Sequence, residues 1–263
     1  MERWGDKRYY SLDYYVKQTF QEKLYKIALD GGMTCPNRDG TLGNTGCIFC
    51  SAGGSGDFAG DRNVSIKEQI SDGKSLVQRK HTGSSYIAYF QAYTNTYAPV
   101  SYLEQIFMEA IQEPDVKVLS IATRPDCLSD DILDLLNCLN QIKPVWIELG
   151  LQTIHEKSVE FIRRGYPLSM FERAVTQLHH IGIPVIVHTI LCLPNETKQM
   201  MLDTISYLNR LPIQGIKLQL LHILKHTDLA KYYEQSPFWL PSLEEYLELL
   251  GVLISHLRPD RSE

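Results

Sequence analysis

Residues 29–50 read "LDGGMTCPNRDGTLGNTGCIFC". An apolar run ending at Leu29 opens into a loop of glycine, asparagine and charged residues that carries Cys35, Cys47 and Cys50, three of the six cysteines in the chain. Cys47 and Cys50 form a C-x2-C pair, which brings two thiolates to one metal centre from a single tight turn. Eleven residues separate Cys35 from Cys47. A structural zinc wants four closed ligands, and the other cysteines are badly placed to give a fourth. Cys127 follows a strand-like run, Cys138 lies in a helical pattern, and Cys192 lies in a strand-like run. His81 is the nearest histidine and stands beyond a predicted helix. Three ligands with an open position suit a centre whose fourth corner takes something else. On spacing alone, zinc completed by a distant histidine and simple buried thiols both stay open. Ile48, Phe49 and Phe58 can shield a centre from water. Where the centre is a three-cysteine iron–sulfur cubane, the alternative to zinc, Gly43, Gly46, Gly53, Gly54 and Gly56 let backbone amides approach its sulfides.

Outward from this loop the chain alternates. Strand-like runs are 26–29, 85–90, 116–122, 145–151, 183–193 and 215–223, several of them almost continuously apolar, as strands covered on both faces are. Helical patterns fill 66–79, 102–112, 130–140, 156–163, 169–181 and 196–210. Ser129 is an N-cap before "DDILDLL", and Gly182 with Pro184 closes "FERAVTQLHHIGIP". Such alternation predicts an α/β fold with a parallel sheet and right-handed crossovers. Periodicity does not separate a doubly wound sheet from a partial (β/α)6 barrel. In a barrel, the cysteine loop would sit at the C-terminal rim where active sites are built. The expected division is a tyrosine-rich lead-in over 1–24, a core over 25–235 and a helical extension over 236–263, with an amphipathic helix at 242–257.

The chain has 263 residues, 44% hydrophobic and 22% charged, which is the composition of a globular protein. No apolar signal segment opens it, and the apolar stretches near 183–193 and 247–257 are shorter than the ~20 residues a bilayer needs. The cytoplasm is the expected location, and six cysteines there point to metal, catalysis or burial instead of disulfides. A net charge of −5 leaves no whole-chain footprint for nucleic acid. Local basic clusters remain: Arg62, Lys67, Lys74, Arg79, Lys80 and His81, then Arg163 and Arg164. Each reads equally as a solvated helix face.

The quoted loop resembles the cluster-binding loop of radical S-adenosylmethionine (radical SAM) enzymes, in particular the YhcC/YtqA-type branch related to the catalytic subunit of elongator. The long spacing between the first two cysteines is similar to that branch. "SIATRPDCL" (120–128), "WIELGLQT" (146–153) and "HTILCLPNET" (188–197) resemble its third-, fourth- and fifth-strand elements, with Cys192 where a glycine is usual. The likeness extends from about Tyr25 to Leu229. It implies a TIM-like partial (β/α)6 barrel, not a doubly wound sheet.

By that resemblance Cys35, Cys47 and Cys50 each bind one iron of a [4Fe–4S] cluster. The fourth iron takes the amino and carboxylate groups of S-adenosylmethionine, and reduction by an external electron donor releases a 5′-deoxyadenosyl radical. Gln91, Tyr93 and Asn95 fall where the superfamily contacts the methionine amino group. Glu148 and Gln152 point the same way from one strand and suit the ribose hydroxyls or the methionine ammonium. A glutamate between Ile147 and Leu149 would be costly without a partner. Arg124 can pair a carboxylate of cofactor or substrate, or form a salt bridge to Asp126 or Glu148. Arg163 or Arg164, expected to end a helix, reaches the methionine carboxylate. His188 lies where the adenine stacks, or is a core histidine. Lys225, His226 and Thr227 line the substrate opening. The likeness further implies an MnmL-type enzyme acting on transfer RNA. It would convert 5-carboxymethylaminomethyl(-2-thio)uridine at the wobble position to the 5-aminomethyl form, with Tyr93 or Tyr97 stacking on the base.

Overall fold

The computed structural model describes residues 4–258 apart from 6, 8, 55 and 79–82. Arg79, Lys80 and His81 of the first basic segment therefore lie outside the described residues, as does the end of the helix expected to reach Arg79.

Six parallel strands follow one another in chain order across one sheet: β1 (Leu24–Leu29), β2 (Ser85–Phe90), β3 (Val116–Thr123), β4 (Val145–Gln152), β5 (Val185–Leu191) and β6 (Gly215–Leu220). A doubly wound sheet reverses its order at a switch point. This one does not, so it curls into a partial barrel with β1 and β6 as its two edges. The crossover helices are α2 (Ile66–Gln78), α3 (Val100–Ile111), α4 (Asp130–Asn140), α5 (Glu156–Phe161), α6 (Leu168–His180) and α7 (Lys198–Leu208). Their apolar stripes bury the outward residues of the strands, among them Ile27, Phe90, Ile121, Ile147 and Val187, in one continuous core. Local chemistry fixes several ends. After α6, Gly182 at φ +70 lets its N–H reach His179 O (3.1 Å) and the Ile183 N–H reach Leu178 O (2.9 Å), a left-handed helix stop. Ser129 stands at the N-cap of α4 but makes no capping bond; its hydroxyl turns to Asp131. Thr197 caps α7 through the Met200 N–H, so that helix starts at Lys198 and not at Glu196.

The inward faces are layered. At the closed end, Leu24, Ile87, Val118 and Trp146 meet Val16 from a helix the sequence pattern left unassigned, α1 (Leu12–Phe20). Tyr15 and Phe20 of that helix lie 5.8 and 6.5 Å from the Trp146 ring, so α1 plugs the bottom of the barrel. Above the plug the inward residues are polar, and β5 alternates buried and half-buried positions, contrary to strands covered equally on both faces. The chain ends with α8 (Asp228–Gln235), also unassigned from sequence, and α9 (Leu243–Ser255). Ser242 and Glu245 form a reciprocal capping box at the start of α9. Among the described residues no helix is long and apolar enough to cross a membrane.

Candidate functional site

The cysteine loop leaves the C-terminal end of β1 and is tied down at both ends. Gln69, buried on α2, accepts from the Asp30 N–H (2.9 Å) and donates to Asp30 O (3.0 Å). Arg38 spans the loop, donating to Ser51 O (2.5 Å) and Cys50 O (3.3 Å). Asn37, buried, donates to Arg163 O at 2.8 Å and Arg164 O at 3.3 Å, which joins the loop to the end of α5. On the other side the Tyr93 hydroxyl donates to Ala52 O at 2.5 Å. Gly54 and Gly56 serve this packing: a Cβ on Gly54 would stand 2.4 Å from the Tyr93 ring, and one on Gly56 2.3 Å from the Ala92 Cβ. These two glycines let the loop close onto the end of β2. Ala92 and Tyr93 are themselves left-handed there, at φ +75 and +58, a strain of the kind that gathers at functional sites. Phe58, expected to shield the centre, is 94% exposed.

Cys35, Cys47 and Cys50 line one cavity of about 370 Å³ at the strand C-termini, within the ~300–1,000 Å³ usual for small-molecule sites. Cys50 hydrogen-bonds Cys47, and this bond, with help from Asn37, Arg124 and Arg38, brings the Cys47 thiol down to about 7 against its burial. The same bond and burial push Cys50 up. Thiolate is the ligating form, so the loop favours ligation at Cys47. Among the described residues no three His, Cys, Asp or Glu side chains close on a single ion. A cubane takes one thiolate per iron around a face, so three thiols spread along one wall fit the [4Fe–4S] group that the resemblance implies. Thr94, wholly buried on the same wall, has a hydroxyl with no partner among the described residues, as a ligand-binding wall can supply.

Of the other sequence-derived candidates, Gln91, Tyr93, Arg124, Glu148, Gln152, Arg164 and His188 line this cavity. Asn95 does not: its amide donates to Ala92 O (3.0 Å) and Ala122 O (2.9 Å), which fastens the end of β2 to β3. Arg124 has its fork on Asp126 at 2.9 and 2.6 Å, the intramolecular alternative, and lies over the Tyr166 ring at 4.9 Å. Gln152, at φ +65 beyond an irregularity in β4, accepts from the Tyr166 hydroxyl at 3.3 Å. Arg163 and Arg164 do not end α5, which stops at Phe161. Arg163 takes the left-handed position after it, φ +58, and this turn sends the two neighbours apart. Arg163 reaches out to Asp228 (2.7 Å). Arg164 points in, donating to Leu151 O and Thr153 O, both at 2.8 Å. Cys192 occupies the glycine position of its motif at φ +63, which explains why glycine is usual there. Thr227 caps α8, and Lys225 and His226 are exposed beyond the cavity wall. Tyr97 lines a separate cavity.

The inward layer below the mouth is charged, and the sequence reading missed most of it. Glu148, 2% exposed, accepts from Lys26 Nζ (2.5 Å), Ser120 Oγ (2.9 Å), His188 Nε2 (2.7 Å) and Lys217 Nζ (3.5 Å). Lys26 and Lys217 both lie over the Tyr89 ring, at 4.4 and 5.4 Å. All six strands thus contribute one side chain. Burial opposes ionisation of Glu148, but the His188 hydrogen bond and the two lysines outweigh it and hold the carboxyl well below its usual range. Burial holds His188 down in turn, against the pull of Glu148, so the imidazole is neutral near pH 7. A lysine inside an otherwise apolar strand, in "LYKIAL" and "GIKLQL", carried the same signal as Glu148.

Comparison with known proteins fits this geometry. The Radical SAM superfamily pattern matches residues 40–208, and a Radical_SAM C-terminal domain matches 213–262. YtqA of Bacillus subtilis is 45% identical over 255 residues, covering 97% of this chain and 79% of that protein. YhcC of Escherichia coli K12 is 38% identical over 246 residues, covering 93% and 78%. Among solved structures, Elp3 of Methanocaldococcus infernus superposes with a TM-score of 0.69 at 15% identity over 91% of this chain, which spans 56% of that one. Streptococcus suis SuiB bound to S-adenosylmethionine gives 0.58 at 10% identity over 93% of this chain, which spans 50% of that one. With more than half its length matched and a relative at 45% identity, the chain belongs to the radical SAM superfamily, whose members use a [4Fe–4S] cluster and S-adenosylmethionine.

Proposed function

We propose that this protein is a radical enzyme that acts on the wobble uridine of transfer RNA, converting 5-carboxymethylaminomethyl(-2-thio)uridine 34 to the 5-aminomethyl form. The observation that carries the radical chemistry is the wall of three thiols opening onto a polar barrel lumen. Cys35, Cys47 and Cys50 would hold the [4Fe–4S] cluster. When bound, cluster and S-adenosylmethionine supply a 5′-deoxyadenosyl radical able to take hydrogen from a carbon beside nitrogen, given an electron from an external donor.

The chain's own residues do the rest. Thr94 and Gln91 offer polar atoms on the wall beside Cys35, and Gln152 and Tyr166 offer a second polar edge across the lumen. Phe49, Leu221 and Leu224 narrow the mouth with apolar surface, which favours exclusion of water from a reactive centre. The Arg38, Tyr93 and Asn37 ties hold the loop so that the three thiols keep their spacing. The transfer RNA reading is supported by the elongator-like loop and by the Elp3-like fold. With a net charge of −5, phosphate contacts must come from local groups such as Arg38, Lys225 and His226, so RNA binding should weaken with salt. The deciding experiment is nucleoside analysis of transfer RNA from a strain lacking the gene. Accumulation of the carboxymethylaminomethyl form with loss of the aminomethyl form is expected. An unchanged wobble profile refutes the RNA substrate and leaves the radical chemistry to be sought on a small molecule or peptide.

A further inference from the structure

The charged layer of the lumen does not balance. Two ammonium groups, Lys26 and Lys217, face one carboxylate, Glu148, and His188 beside them is neutral. The two lysines are not equivalent. Lys26 holds Glu148 Oε1 at 2.5 Å and does not line the cavity. Lys217 stands 3.5 Å from Oε2, an oxygen already taken by His188 at 2.7 Å, and it lines the cavity. An ammonium carries three donors. Glu148 is the one side-chain acceptor Lys217 meets among the described residues, at the limit of hydrogen-bond range. Lys217 keeps 40% of its side-chain surface and lines the cavity, so its ammonium is accessible to an anionic group that enters the lumen. Lys217 also sits on the edge strand β6, with Gln219 on the same face and His222 beyond it on the way to the mouth. Lys217 alone would be cheaper as an apolar residue if filling space were its task.

We propose that Lys217 binds a carboxylate of the substrate inside the lumen, with Gln219 and His222 lining its path. The inference rests on the reading above, under which that group is the glycine-derived carboxylate of the wobble base's side arm. The same chemistry exists in the methionine part of S-adenosylmethionine, and the test separates the two.

The measurement is equilibrium binding of anticodon stem-loop RNAs to the anaerobically reconstituted holoenzyme. One RNA carries 5-carboxymethylaminomethyluridine at the wobble position and the other 5-methylaminomethyluridine, which keeps the amine and lacks the carboxylate. The wild-type protein should prefer the first by about tenfold or more, as expected for one charge-assisted hydrogen bond. Lys217→Gln should erase that preference, Lys217→Arg should keep most of it, and Lys26→Met should keep it. A merely structural lysine would change stability without changing the ratio. Equal binding of both RNAs by the wild type overturns the carboxylate site alone. Binding of neither overturns the transfer RNA reading and this inference with it. A parallel loss of S-adenosylmethionine affinity in Lys217→Gln assigns the carboxylate to the cofactor and also overturns the inference.

Discussion

Glu148→Gln isolates the electrostatics of the lumen, because it removes one charge and almost no volume. The side chain is 2% exposed and ties β1, β3, β5 and β6 together through Lys26, Ser120, His188 and Lys217. Removing one partner of a buried ion pair costs about 3–5 kcal/mol, since the remaining charge stays desolvated. Lys26 and Lys217 keep 32% and 40% of their side-chain surface, so water screens part of that penalty and the lower end, about 3 kcal/mol, applies. For a chain of this size that is a fall in midpoint of about 6–12 °C. The assay is thermal and urea unfolding followed by circular dichroism at pH 7.5, on proteins of equal iron content, with Lys26→Met and the double variant completing a cycle. The double variant should cost less than the sum of the singles, because it leaves one fewer orphaned charge. The pH profile is a second check. Unfolded Glu148 protonates near pH 4.3 and unfolded His188 near 6.5, while the folded forms of both resist the proton. The unfolded state therefore binds more protons as pH falls, and stability drops first below about 6.5 and again below about 4.3. Glu148→Gln should shrink the second drop, to which Asp13, Asp39 and Asp228, also held below the ordinary carboxylate range by Lys17, Thr41 and Arg163, still contribute. A loss under about 1 kcal/mol at pH 7.5, or additive singles, would refute the view that this carboxylate neutralises the lumen.

Two further predictions concern the loop. Cys47→Ala should abolish iron retention after anaerobic reconstitution, whereas exposed Cys138 on α4 can be replaced by alanine with full iron and a stability change within about 0.5 kcal/mol; equal iron loss in both variants would sink the ligand assignment. Gly56→Ala should push the loop off β2, because the added Cβ meets Ala92 Cα at 2.9 Å as well as its Cβ. About 1–3 kcal/mol of stability should go with it. Iron should bind more weakly too, and wild-type iron affinity in this variant would show that the β2 contact does not position the thiols.

The amino-acid order alone determined the alternation of strands and helices, the left-handed stop at Gly182 and the three loop cysteines, because periodicity, turn chemistry and ligand spacing are local properties. It also marked Glu148, since a carboxylate between Ile147 and Leu149 demands a partner wherever it lies. Which partner it finds was decided only by the folded barrel. Lys26 lies 122 residues from Glu148 and Lys217 69 residues from it, and only the curl of the sheet brings the edge strands to one carboxylate. The same holds for α1: its aromatic stripe gives no sign of a destination until Trp146 supplies the floor of a lumen. Adjacent Arg163 and Arg164 looked interchangeable in sequence, and a single left-handed residue at a helix end separated them. Inward and outward faces of a parallel strand acquire different chemistry only when the sheet closes around something, and closure depends on pairings between distant segments that no local pattern encodes.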